Sequence, residues 1–194
     1  MTDPGSFTYP FASDVPMVSV VIITHEHGDH IHVPAVRELV QTNPNLTIVT
    51  NSSVAALLKQ EGIEATVLEG TNSMTVAGVH LEAFDARHAE IFEEVGQVQN
   101  TGYFITERLF YPGDAYAEPA KPVEVLALPV GGPWCRITDT LHYALRVQPK
   151  VAFPIHDSIE REDRVGVHHG MAKRILEERG ISFVGLRAGE EHTF

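Results

Sequence analysis

The sequence predicts an α/β fold, and three observations carry that expectation. An apolar, β-branched run at 17–24 (MVSVVIIT) reads as a strand buried on both faces, 123–128 (VEVLAL) as another buried strand, and 150–155 as a strand. Segments with helical apolar spacing lie between them, at 33–42, 138–147 and 171–179. The 194 residues, 43% hydrophobic and 21% charged, show no linker, repeat or change of composition, so one domain over 1–194 with a substantial core is expected.

Taken in order, the first strand ends where a histidine-rich segment begins. The helix after it places Val33, Val36, Leu39 and Val40 on one face and stops at Asn43-Pro44. A short strand at 46–50 leads to a helix at 53–60, started by Asn51, Ser52 or Ser53 and ended at Gly62. Residues 64–68 and 74–84 read as strands, the second bent at Ala77-Gly78 in a hairpin turn. A second hairpin joins 102–106 to 109–111 through Glu107-Arg108. The strand at 123–128 leads into the Gly131-Gly132-Pro133 loop, and 150–155 runs straight into His156-Asp157. The helix at 171–179 stops at Gly180, before a last strand at 181–186.

Composition narrows the function classes. No stretch approaches the roughly 18 apolar residues of a membrane span, and residues 1–16 lack a basic segment followed by an apolar one. The single cysteine, Cys135, fits a reducing compartment, so a cytoplasmic protein is expected. A net charge of -12, with no basic cluster longer than Lys173-Arg174, disfavours nucleic acid and leaves a small-molecule substrate as the expected partner. Oligomeric state leaves no signal. The 11 histidines, without any low-complexity tract, require an explanation.

The segment His25-Glu26-His27-Gly28-Asp29-His30 supplies one. Its HxHxDH pattern arises by chance roughly once in 700 chains of this composition. Imidazole and carboxylate are the ligands that borderline divalent metals prefer, and three His plus one Asp in six residues exceed what one tetrahedral ion takes from a single loop. Two ions are therefore expected. Capping of the following helix would account for Asp29 but not for three histidines. The remaining ligands should also follow strands, and His88, Asp114 and His156 each follow an apolar run. Gly113 would let the backbone beside Asp114 approach the metals closely.

This order of residues resembles the metallo-β-lactamase superfamily. Together with PVEVLALPVGG and PIHD, it is most similar to the small UPF0173 and L-ascorbate-6-phosphate lactonase-like metal-dependent hydrolases. The resemblance implies a four-layer αββα sandwich with metals at one edge, between the sheets. It implies that His25, His27 and His88 hold one ion, that Asp29, His30 and His156 hold the other, and that Asp114 bridges them. Asp3 resembles the buried aspartate that orients a metal-bound histidine. One departure is that family members carry two or three strands ahead of the HxHxDH strand, so the resemblance implies an N-terminally shortened sandwich lacking about forty residues, with an opened sheet edge.

The function expected is a binuclear hydrolase acting on a small ester, lactone or phosphoester. The hydroxide comes from water activated between two divalent ions, and Asp29 is the catalytic carboxylate that positions it. Zinc is the default ion; manganese or iron suits the same N/O ligand set. The alternatives are an iron-dependent oxidoreductase on the same fold and a metal-binding subunit without activity. Among other residues, His32 is either an outer partner of the site or a solvent-facing helix residue. His80, His142 and His192 are expected to be structural or exposed, and His168 and His169 to lie near the pocket mouth if they act at all. Trp134 and Cys135 are candidate substrate contacts, and Asp157 either orients His156 or caps a turn.

Overall fold

The computed structural model describes residues 1–8, 17–93, 95, 97–159, 161 and 165–194. Strand β1 (Val20–Ile23) is followed by helix α1 (Val33–Thr42), β2 (Thr47–Thr50), α2 (Ser52–Gln60) and β3 (Thr66–Val67). Hairpin β4 (Ser73–Val76) and β5 (Val79–Arg87) precedes hairpin β6 (Gln99–Ile105) and β7 (Leu109–Tyr111). The chain ends with β8 (Val125–Pro129), α3 (Ile137–Val147), β9 (Val151–Ile155), α4 (Val165–Glu177) and β10 (Ser182–Phe183).

Two sheets result. The smaller is parallel, in the order β1-β2-β3, and the larger runs β10-β9-β8-β7-β6-β5-β4. Its β4 to β7 pair antiparallel, whereas β7, β8, β9 and β10 are parallel neighbours.

The period of two along each strand sorts side chains into three cores. Val21 and Ile23 of β1 pack with Val36, Leu39, Val54 and Leu58 of α1 and α2. Their neighbours Val20 and Ile22 turn the other way, onto Leu81, Ala83 and Tyr103 of the larger sheet. On that sheet's far side Phe104, Leu126 and Leu128 meet Tyr143, Ala172 and Leu176 of α3 and α4. The layers are therefore helix, sheet, sheet, helix, as expected. The Tyr103 hydroxyl donates to the Leu68 carbonyl at 3.0 Å, joining the two inner layers without leaving a buried polar atom unmatched.

Element boundaries differ from expectation in instructive ways. Helix α4 begins at Val165 rather than 171, because the glycines and β-branched residues of its first turns mask the helical pattern. The closing strand shrinks to Ser182–Phe183, the extent of its pairing with β9. The second hairpin turns at Thr106-Glu107, both at positive φ, one residue earlier than expected. At the sheet edge expected to be opened, Thr2 bridges Ile22 in parallel, and Asp3 N–H donates to the Ile22 carbonyl at 2.8 Å.

Candidate metal centre

Strand direction brings the chemistry together. Because β5 is antiparallel to β6 and β6 to β7, strands β5, β7, β8 and β9 all point the same way and end at one edge. From those ends project His88, Asp114, the Gly131–Trp134 loop and His156. The smaller sheet meets this edge at Thr24, whose carbonyl accepts from Thr101 N–H of β6 at 3.0 Å and from Asn51 Nδ2 at 2.8 Å. His25 to His30 begin one residue later.

The structure places ligand atoms of His25, His27 and His88 within 4.8 Å of one another, and likewise those of Asp29, His30 and His156. Asp114 forms a third such group with His25 and His30, so it lies between the other two. One Asp114 oxygen, Oδ2, is 2.9 Å from His156 Nε2 and 3.2 Å from His88 Nε2; the other, Oδ1, is 3.1 Å from His30 Nε2. Asp29 Oδ2 is 3.3 Å from His156 Nε2.

Four of the five rings are held by the opposite nitrogen. His88 Nδ1 meets the Ala89 carbonyl at 2.6 Å, His156 Nδ1 the Gly131 carbonyl at 3.0 Å, and His30 Nδ1 the Asp3 carboxylate at 2.8 Å. These partners only accept, so Nδ1 carries the proton and Nε2 faces the cluster. His25 Nδ1 lies 3.0 Å from Thr24 Oγ1, which itself donates to Asp3 Oδ2 at 2.8 Å. Asp3 thus orients His30 directly and His25 through Thr24.

This arrangement tests the site for a cation. His25 Nε2, His30 Nε2, His156 Nε2 and Asp114 Oδ1 are buried without a well-directed hydrogen bond, although two of them lie within 3.1 Å of each other. Lone pairs converging on a carboxylate repel unless a proton or metal ion sits among them. Protons serve when no metal is bound. Burial opposes charge on His30, but Asp3 and Asp114 outweigh it and raise its pKa to about 10. His156 is likewise raised to about 9 against its burial by Asp114 and Asp29. Burial and repulsion from His30 lower His25 to about 2. Asp114, despite burial, is held far below the carboxylate range by His156, His30 and His88, and the proximity of the His156 ring lowers Asp29 to about 2. Nitrogen and carboxylate donors of this kind fit a borderline divalent ion.

Several neighbours escaped sequence reasoning. Asn100 donates from Nδ2 to the Pro112 carbonyl and accepts at Oδ1 from Asp114 N–H at 3.0 Å, which fixes the turn carrying Asp114. Asn51, one of the expected caps, does cap α2 by accepting from Val54 N–H, and in addition it holds Thr24, which the sequence did not show. Trp134, read as a candidate substrate contact, is buried and donates to Asp114 Oδ2 at 2.8 Å. Burial raises the Cys135 pKa, so the residue is a protonated thiol, packed beside Thr140. His169 is buried against Asp157 at 2.7 Å rather than at a pocket mouth. His32 precedes the first residue of α1. Elsewhere among the described residues only His80, Glu82 and Glu107 group comparably, and there Lys121 pairs with Glu82 at 2.5 Å.

A family model described as the beta-lactamase superfamily domain matches residues 1–156, which include all seven clustered residues. The chain belongs to the metallo-β-lactamase superfamily. Protein Rv0786c of Mycobacterium tuberculosis is 32% identical to it, over 99% of this chain and 90% of its own length. The UPF0173 metal-dependent hydrolase MJ1163 of Methanocaldococcus jannaschii is 24% identical, over 93% of this chain and 85% of its own. Among solved structures, the metallo-beta-lactamase fold protein YhfI of Bacillus subtilis superposes with a TM-score of 0.70 at 12% identity, covering 97% of this chain and 83% of its own, a likeness of fold. No helix among the described residues is long and apolar enough to cross a membrane.

Proposed function

We propose that the chain is a metal-dependent hydrolase with two divalent ions, zinc by default, acting on a small ester, lactone or phosphoester. The observation that carries this reading is the set of buried Nε2 atoms on His25, His30 and His156 that converge on Asp114 without hydrogen bonds of their own. His25, His27 and His88 would hold one ion, and Asp29, His30 and His156 the other, with Asp114 shared. When bound, such a pair lowers the pKa of an intervening water toward neutrality and polarises the electrophile's oxygen.

The chain's residues supply orientation and proton handling. Asp29 is the most open of the carboxylates at the site, with 29% of its side chain exposed against 2% for Asp114. It would position the hydroxide from the more open side of the cluster. Asp114 is enclosed by three imidazoles and Trp134, so its role is to hold position. No serine or cysteine nucleophile is required, in keeping with the protonated Cys135 thiol.

Support for hydrolysis comes from the similarity to the UPF0173 metal-dependent hydrolase. The test is a panel of lactones, carboxylic esters and phosphodiesters assayed with zinc or manganese, with and without chelator. Activity should vanish on chelation, return with metal and be lost in His27→Ala. Turnover indifferent to both treatments would end the proposal.

A further inference from the structure

We propose that the Trp134 indole positions the shared carboxylate and thereby links the loading of the two metal half-sites. The inference rests on the two-ion reading above. Trp134 Nε1 donates to Asp114 Oδ2 at 2.8 Å, the same oxygen that faces His88 Nε2 at 3.2 Å and His156 Nε2 at 2.9 Å. Its ring packs edge-on against one histidine of each half-site, with centroid separations of 5.7 Å to His88 and 5.6 Å to His156. Tyr116 closes its remaining side at 5.5 Å.

The backbone is shaped around this contact. Gly132 has φ +128, and a Cβ there would meet Trp134 Nε1 at 3.1 Å and His156 Nδ1 at 3.0 Å. A side chain at this positive φ would be strained and would crowd both the indole N–H and the His156 ring.

The consequence follows from carboxylate geometry. A carboxylate offers about four lone-pair directions, and one that serves two cations must keep its plane fixed relative to both. His30 Nε2 faces Oδ1 at 3.1 Å, and the histidines facing Oδ2 turn toward it the nitrogens that would bind metal. Trp134 is the neutral donor to Oδ2 that needs no proton exchange when metal enters. With its N–H absent, Asp114 can rotate to serve one half-site at the other's expense. Trp134 is therefore a positioning residue.

Because the chain has a single tryptophan, replacing tryptophan by 3-benzothienylalanine during expression changes this position alone. That analogue keeps the ring shape and substitutes sulfur for the N–H. Parent, analogue and Trp134→Phe proteins are stripped, then titrated with zinc against a chromophoric chelator, and bound zinc is counted by elemental analysis. The parent should take up two ions with linked affinities. The analogue should retain the parent's circular dichroism but bind zinc about 10- to 100-fold more weakly and stop near one ion at concentrations that fill the parent. An analogue that binds two ions as tightly as the parent overturns the inference, including the case where Trp134→Phe alone weakens binding and the ring's packing suffices. A parent that never binds two ions overturns the two-ion reading and this inference with it.

Discussion

Asp3 shows how a single residue can serve both halves of the site from outside it. Its Oδ2 takes the His30 Nδ1 proton at 2.8 Å and the Thr24 hydroxyl at 2.8 Å, and Thr24 in turn orients His25. Its Oδ1 accepts Thr24 N–H at 2.8 Å, so the carboxylate also anchors the backbone from which the HxHxDH loop departs. Asp3→Ala should weaken zinc binding about 10- to 100-fold, read by chelator competition, and unchanged affinity would reduce Asp3 to an anchor for β1. The histidines were legible in the sequence because they are dense and their pattern is rare. Asn100, Thr24 and the Trp134 hydrogen bond were not, because each is an ordinary residue whose partner lies far along the chain. Only folding sets Asn100 beside Asp114, and no local periodicity marks it.

At the scale of elements, the site depends on strands that stop together and on the turns that follow them. Gly113 sits at φ +64, where an added Cβ would lie 2.3 Å from Asn100 Oδ1 and 2.8 Å from Thr24 Cβ. Gly113→Ala therefore combines backbone strain with a collision against two residues that hold the site. We expect a loss of at least about 1–3 kcal/mol of stability in denaturant titrations, accompanied by reduced zinc uptake. A fully stable variant would show that the turn has room to shift. The need for glycine here was readable from sequence, as were the strands preceding His25, Asp114 and His156, because buried strands are continuous apolar runs. Ends set by pairing were less readable: β3 keeps only Thr66–Val67, and β10 only Ser182–Phe183. Their extent depends on a neighbouring strand's register rather than on their own residues.

For the whole molecule, the cluster makes stability in the presence of chelator depend on pH in both directions. His30 and His156, raised from 6.5 to about 10 and about 9, contribute fully below pH 6.5 and lose that contribution as pH rises through those values. His25, lowered from 6.5 to about 2, contributes above its unfolded value and loses its contribution as pH falls toward the folded one. Asp29 does the same between 3.8 and about 2. Melting temperatures in chelator should therefore peak near pH 6.5. Zinc should remove the alkaline decline, because the cations replace the protons on His30 and His156. A chelated protein that grows steadily more stable up to pH 9 would contradict this electrostatic account.

The four layers themselves were implied by resemblance rather than by periodicity. A continuous apolar run shows that both faces are buried but not what covers each, and only the packed structure separates Val21 and Ile23, under helices, from Val20 and Ile22, against the second sheet. That second contact brings HxHxDH to the strand ends of the larger sheet. The most direct measurement is an anomalous-difference map of crystals grown with zinc, collected on both sides of the zinc edge. The account predicts two peaks about 3.5–4 Å apart, one among His25, His27 and His88 and the other among Asp29, His30 and His156, with Asp114 touching both. A lone peak, or zinc bound away from these seven residues, would contradict it.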